Sequence, residues 1–245
     1  VGARDQYLEA IGIETWERRR RAEPPSSGPQ APPAIAAAGK AAPLALQPVP
    51  AGGAGAWDTL QGEVQRCTRC VLAGTRTQTV FGVGNRRAEL LVVGEAPGAD
   101  EDRQGEPFVG RAGQLLNAML RAMGRPRETV YIANILKCRP PGNRDPAPEE
   151  VACCMPYLLR QIELLAPRVM LAVGRIAAQN LLGTDTPIGK LRGRVHEFGA
   201  ARIPLIVTYH PAYLLRSPGE KRKAWSDLKF LRTELRRRGA GPGPA

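Results

Sequence analysis

Two rhythms of apolar and polar positions run along this chain, and they confine the folded part to about residues 57–238. Short, β-branched apolar runs at 90–93, 130–136, 168–174 and 203–208 predict buried strands. Between them the apolar positions recur at helical spacing, predicting helices at 58–66, 113–123, 175–182 and 219–238. Another helix starts at Pro148 and puts Val151, Leu158, Leu159, Ile162 and Leu165 on one side. In the last helix Trp225, Leu228, Leu231 and Leu235 share the face turned to the core. A short antiparallel excursion is expected at 193–198. Strands alternating with helices give the expected fold class: α/β, three-layer α/β/α, with a central, mainly parallel four-stranded sheet.

Composition adds what lies outside that domain. Residues 1–22 hold a short amphipathic pattern ending in four arginines, and 23–56 are mostly Pro, Ala and Gly, the composition of a disordered linker. Residues 239–245 read as a disordered tail. A formal charge of +12 and a pI of about 10.1 favour a polyanionic partner, nucleic acid before others. No apolar run approaches the roughly 18 residues of a membrane span, and no leader pattern is visible, so no membrane partner and a cytoplasmic, nucleoid-associated location are expected.

Five cysteines in such a chain are better suited to ligation than to disulfides. Cys67 and Cys70 form a CxxC; Cys138 and Cys154 form a wider pair, with Cys153 spare. By residue type alone they suit zinc, an iron–sulfur cluster or no metal, with zinc first because four-thiolate zinc sites are common.

The densest chemistry lies at 88–116, AELLVVGEAPGADEDRQGEPFVGRAGQLL. A strand breaks at Gly94-Glu95-Ala96-Pro97-Gly98, and ligands of open α/β sheets bind at such strand ends. Four acidic residues (Asp100, Glu101, Asp102, Glu106) and Phe108 follow. A second landmark, Tyr209-His210-Pro211-Ala212-Tyr213-Leu214-Leu215, follows the last strand. These two motifs and the four cysteines resemble the uracil-DNA glycosylase superfamily, most closely its family 4, over about residues 60–237.

The resemblance implies a monofunctional enzyme, acting as a monomer, that flips uracil out of single- or double-stranded DNA and hydrolyses its N-glycosidic bond. It implies a [4Fe-4S] cluster on Cys67, Cys70, Cys138 and Cys154. Glu95 corresponds to the residue that positions water or stabilises the sugar cation, and His210 to the donor at the uracil oxygen. Phe108 corresponds to the stacking aromatic and Asn134 to the reader of the uracil edge. Ala96 should lie close to the base, and Glu101 should crowd thymine's methyl group. Leu214 or Leu215 would wedge into the duplex while Arg216 holds phosphate; Arg111, Arg139, Arg144 and the basic run 221–223 are further phosphate candidates. The alternative is a non-catalytic iron–sulfur or zinc nucleic-acid-binding module. The pattern Tyr7-Leu8, Ile11-Gly12-Ile13, Trp16, Arg18-Arg19 resembles the N-terminal arm of the bacterial clamp-loader psi subunit, which implies a replisome partner for residues 5–21.

Overall fold

The computed structural model describes residues 54–241. Within them the order is α1 (Ala54–Gln65), β1 (Val83–Gly84), β2 (Leu90–Gly94), α2 (Ala99–Gln104), α3 (Arg111–Ala122), β3 (Tyr131–Asn134), α4 (Pro148–Leu165), β4 (Val169–Val173), α5 (Arg175–Leu182), α6 (Ile188–Leu191), β5 (His196–Phe198), β6 (Ile203–Thr208), α7 (Pro211–Arg216) and α8 (Lys221–Arg237). Short 3₁₀ turns join several of them. The peptide at 5–21, most of the expected linker and residues 242–245 lie outside the described residues.

One sheet carries the fold, in the order β1-β3-β2-β4-β6-β5. The four inner strands are parallel, as expected, with Val92 of β2 between Ile132 of β3 and Leu171 of β4. Two short antiparallel edges complete it, β1 on β3 and β5 on β6. The β5 edge is the predicted excursion. The β1 edge was not visible in the sequence, because two residues carry no periodicity.

Every residue of β2, β3 and β4 is buried, which explains their continuous apolar runs: both faces are covered. Side chains alternate between two cores. Leu91, Val93, Met170, Ala172, Leu205 and Val207 pack with Leu60 of α1, Leu158 of α4 and Ala177 of α5. Leu90, Val92, Leu171, Val173 and Ile206 face the opposite way, onto Leu116 of α3 and Leu228 and Leu231 of α8. Three layers follow from that alternation.

Four details differ from the sequence expectation. Helix α1 begins at Ala54, inside the stretch assigned to the linker. Trp225 and Leu159 are each 39% exposed rather than facing the core. The tail is ordered as far as Ala240, which is buried in the second core, and Arg125 bonds the carbonyl of Gly241. Most of the acidic run, to which the sequence assigned no element, forms the short helix α2. Its Glu101 reaches back to the Gly98 N–H, so local capping supplied what apolar periodicity lacked. No helix among the described residues is long and apolar enough to cross a membrane.

Candidate active site

The strand order reverses around β2, with β3 on one side and β4 on the other, and a crevice opens at the carboxyl ends of the parallel strands. Its cavity of about 780 Å³ draws on the segment after each of them. Glu95 and Ala96 follow β2, Asn134 ends β3, Gly174 and Arg175 follow β4, and Tyr209 and His210 follow β6. The turn after β2 is held against the end of β3 by the Ile135 and Leu136 N–H groups, which donate to the Gly94 and Glu95 carbonyls, each at 3.0 Å.

Asn134 is buried, 2% exposed, and its Oδ1 has no hydrogen-bond partner. An unpaired buried acceptor costs about 1–3 kcal/mol, so a group in this place is expected to have a partner from outside the protein. Phe108 lies beside it at φ 56°, a left-handed conformation unusual for an aromatic. That conformation is enforced. Arg127 donates to the Phe108 carbonyl at 3.3 Å and the Pro107 carbonyl at 2.6 Å, while Gly113 of α3 passes so close that a Cβ would strike the Phe108 carbonyl. Gly94 shows the same economy of space. A Cβ there would strike Asn134 Oδ1 and come within 2.6 Å of Phe108 Cζ, so only glycine leaves the slot between them open.

Glu95 is only partly exposed, and burial first, then the nearby Asp145 carboxylate, pushes its carboxyl up to about 7. Arg175 opposes this in part. Asp145 and Arg175 form an ion pair at 2.6 Å on the cavity wall. His210 is driven the other way: burial, then Arg216, bring its ring down to about 4, so it is neutral at pH 7. It caps α7, with Nδ1 accepting the Ala212 N–H at 3.2 Å. An accepting Nδ1 places the proton on Nε2, which leaves an N–H free to donate. The ring lies 5.6 Å from that of Phe108, inclined by 32°.

Thus Glu95, Ala96, Glu101, Phe108, Asn134, His210 and Arg216 all border one cavity. Glu101, however, is occupied as a brace. One oxygen accepts from Gly98, and the other from Val109 at 3.0 Å and Gly110 at 3.2 Å, which clamps the loop bearing Phe108. Leu214 is no wedge. It is 1% exposed in the second core, because α7 turns it inward, and only Leu215 of the pair is half-exposed. Arg144, also on the cavity wall, is clasped by the buried Glu150. The sequence reading missed Arg127, Asp145 and Arg175, since an ion pair thirty residues apart and a bond to a backbone carbonyl leave no pattern to read.

None of the five cysteines is in a disulfide. Cys67 and Cys70 pack against the core that contains Cys138 and Cys154. Among the described residues no three His, Cys, Asp or Glu side chains converge tightly enough for a single metal ion. The four thiols nevertheless share one electrostatic neighbourhood, since Cys138 is influenced by Cys67 and Cys70, and Cys154 by Cys138 and Cys67. Two donors already point at sulfur: Arg76 Nη1 at Cys138 Sγ (3.2 Å) and the Lys137 N–H at Cys154 Sγ (3.1 Å).

The side chain of Lys137 tests what these thiols can hold. It is 1% exposed and bonds only the Asn134 carbonyl (2.9 Å) and Gln161 Oε1 (2.6 Å), both uncharged. Burial brings it down to about 8, against the pull of Cys154 and Cys138. A buried ammonium without a carboxylate is expensive unless anionic charge lies nearby. Burial also pushes the Cys154 thiol up to about 12, so only a bound metal would make it a thiolate. Four thiols, sulfur-directed donors and one uncompensated cation fit an anionic iron–sulfur cluster.

Comparison with known proteins gives the family. Residues 81–229 match the family described as the uracil DNA glycosylase superfamily. The chain is 48% identical over 180 residues to a type-4 uracil-DNA glycosylase of Archaeoglobus fulgidus, covering 71% of this chain and 90% of that protein. To type-4 uracil-DNA glycosylases of Thermotoga maritima and Saccharolobus solfataricus it is 43% and 39% identical, covering 72% and 73% of this chain and 93% and 86% of theirs.

Proposed function

Since the chain belongs to the uracil DNA glycosylase superfamily, we propose that it is a monofunctional uracil-DNA glycosylase that removes deaminated cytosine from DNA and leaves an abasic site. The observation that carries this reading is the partnerless Oδ1 of Asn134, buried beside Phe108 in the wall of the cavity. A flipped uracil supplies what that atom lacks. Its ring N3–H donates to Oδ1, and the Asn134 amide donates in return to O4, while Phe108 covers the ring. Cytosine presents an acceptor at N3 and a donor at C4, reversing both bonds and leaving two buried groups unpaired.

Bond breaking puts negative charge on the base and positive charge on the sugar. The neutral His210 Nε2–H donates to uracil O2 as that charge develops, with no prior change of protonation. Glu95, half-ionised near pH 7, stabilises the sugar cation as a carboxylate and then takes a proton from the water that attacks C1′. The sugar gains hydroxyl, and the base departs as an anion that solvent reprotonates. Among the described residues no lysine lines the cavity, which supports hydrolysis without strand cleavage.

A [4Fe-4S] cluster on Cys67, Cys70, Cys138 and Cys154 would act as a covalent staple, joining the segment after α1 to the loop after β3 and to α4. Lys137 offsets its charge and, through the Asn134 carbonyl, ties that staple to the pocket. Leu215 fills the gap left in a duplex, and Arg216, exposed at the end of α7, meets phosphate.

Purified protein incubated with oligonucleotides carrying U opposite G, U opposite A, single-stranded U, or T, then treated with alkali, tests the proposal. Breakage of the U strands alone, and only after alkali, is expected. Intact U strands from iron-replete protein would refute it.

A further inference from the structure

One arrangement at the cavity mouth has no part in the chemistry above. Asp227 of α8 is buried and accepts from Thr208 Oγ1 at 2.9 Å, from Arg192 Nε at 2.7 Å and from Arg192 Nη2 at 2.9 Å. This fork fixes the guanidinium, whose Cζ lies over Tyr209, 4.2 Å from the ring centroid. Tyr209 in turn meets Tyr213, with centroids 5.1 Å apart and rings inclined by 50°. The backbone fixes Tyr213 as well, its N–H donating to the His210 carbonyl at 2.9 Å in the first turn of α7. A buried carboxylate thus props an arginine, the arginine props one tyrosine, and that tyrosine props another, Tyr213, which is 36% exposed.

Both tyrosines line the cavity that holds His210 and Asn134, and Arg216 stands exposed one turn beyond Tyr213. A rigid aromatic with a free face and a cation beside it is what single-stranded nucleic-acid sites offer: a π-face for a base and a charge for its phosphate.

We propose that Tyr213, propped by Tyr209 and Arg192, is a stacking shelf for the base adjacent to the flipped uracil on the same strand, an inference that rests on reading the cavity as a uracil pocket. The occupant is a neighbouring nucleotide of the substrate strand, because the shelf and the pocket are walls of one cavity and Tyr209 directly precedes His210. In a duplex that base already stacks on its far neighbour and on the wedge at Leu215. In a single strand it has no such support, so the shelf contributes most there.

The experiment uses single-stranded oligonucleotides with 2-aminopurine, whose fluorescence is quenched by stacking, on one or the other side of the target. Binding is read with 2′-fluoro-deoxyuridine, which resists cleavage, and turnover with ordinary deoxyuridine. Full-length protein should quench one of the two flanking positions. Tyr213→Leu, which keeps bulk but has no π-face, should abolish that quenching and raise KM on single strands about tenfold or more, with kcat nearly unchanged and a smaller effect on duplex. Tyr213→Phe should behave as the parent. Quenching at neither flank by the parent, or an unchanged KM in Tyr213→Leu, would overturn the shelf while uracil release continues. Failure of the parent to release uracil would overturn the reading beneath it.

Discussion

Glu95 offers the sharpest quantitative test. Its carboxyl is raised from an ordinary 4.5 to about 7, chiefly by burial and then by Asp145. As the base it works only when ionised, so kcat/KM should fall about tenfold per pH unit below about 7 and level off above it. His210, held near 4, stays neutral throughout that limb and adds none of its own. Asp145→Asn removes the second cause, so the limb should move to lower pH yet stay above 4.5, because burial remains. Glu95→Gln should lower kcat by about 10²- to 10³-fold while leaving DNA binding in place.

The same raised carboxyl predicts stability. The folded state holds the proton more tightly than the unfolded chain, so this group's contribution is fully present below about 4.5 and is lost as pH rises to about 7. The rise amounts to about 3 kcal/mol at about 1.4 kcal/mol per pKa unit, and partial exposure of Glu95 to solvent discounts that to roughly 2. Glu95→Gln should therefore unfold at higher denaturant than the parent at pH 8, by about 2 kcal/mol, and show little difference at pH 4. An acidic limb centred near 4.5, unmoved by Asp145→Asn, would refute the assignment.

Other predictions follow from single contacts. Asn134→Ala should lower kcat/KM on uracil about 10- to 100-fold, yet its melting temperature should not fall below the parent's, because the variant removes an unpaired buried acceptor. Lys137→Met should carry clearly less iron per chain after anaerobic purification, measured by metal analysis, since the thiolates lose their buried cation; undiminished iron would contradict the counter-charge role. Leu214→Ala should destabilise the fold by about 2–5 kcal/mol in denaturant titration, whereas Leu215→Ala should leave stability nearly intact and slow release from duplex more than from single strands.

The sequence made the layers legible because β2, β4 and β6 are buried on both faces and so are uninterrupted apolar runs. It made much of the site legible too, since Glu95, Asn134 and His210 each sit at a strand end that a glycine, a polar residue or a proline marks. It failed where meaning depends on partners distant in the chain. That Glu101 braces three backbone amides was not legible. Leu214 and Leu215 are indistinguishable in sequence until α7 turns one inward. The Arg127 brace on Phe108 and the Asp227–Arg192 prop under Tyr209 leave no local signature, because each joins a side chain to a group many residues away.

The central claim is that Asn134 Oδ1 awaits the ring N3–H of uracil. Single-turnover base release from matched oligonucleotides carrying uracil or N3-methyluracil tests it directly. The methyl group removes the one donor that the buried oxygen needs and collides with it. Release of uracil with no detectable release of N3-methyluracil is the predicted result; comparable rates for the two would contradict the account.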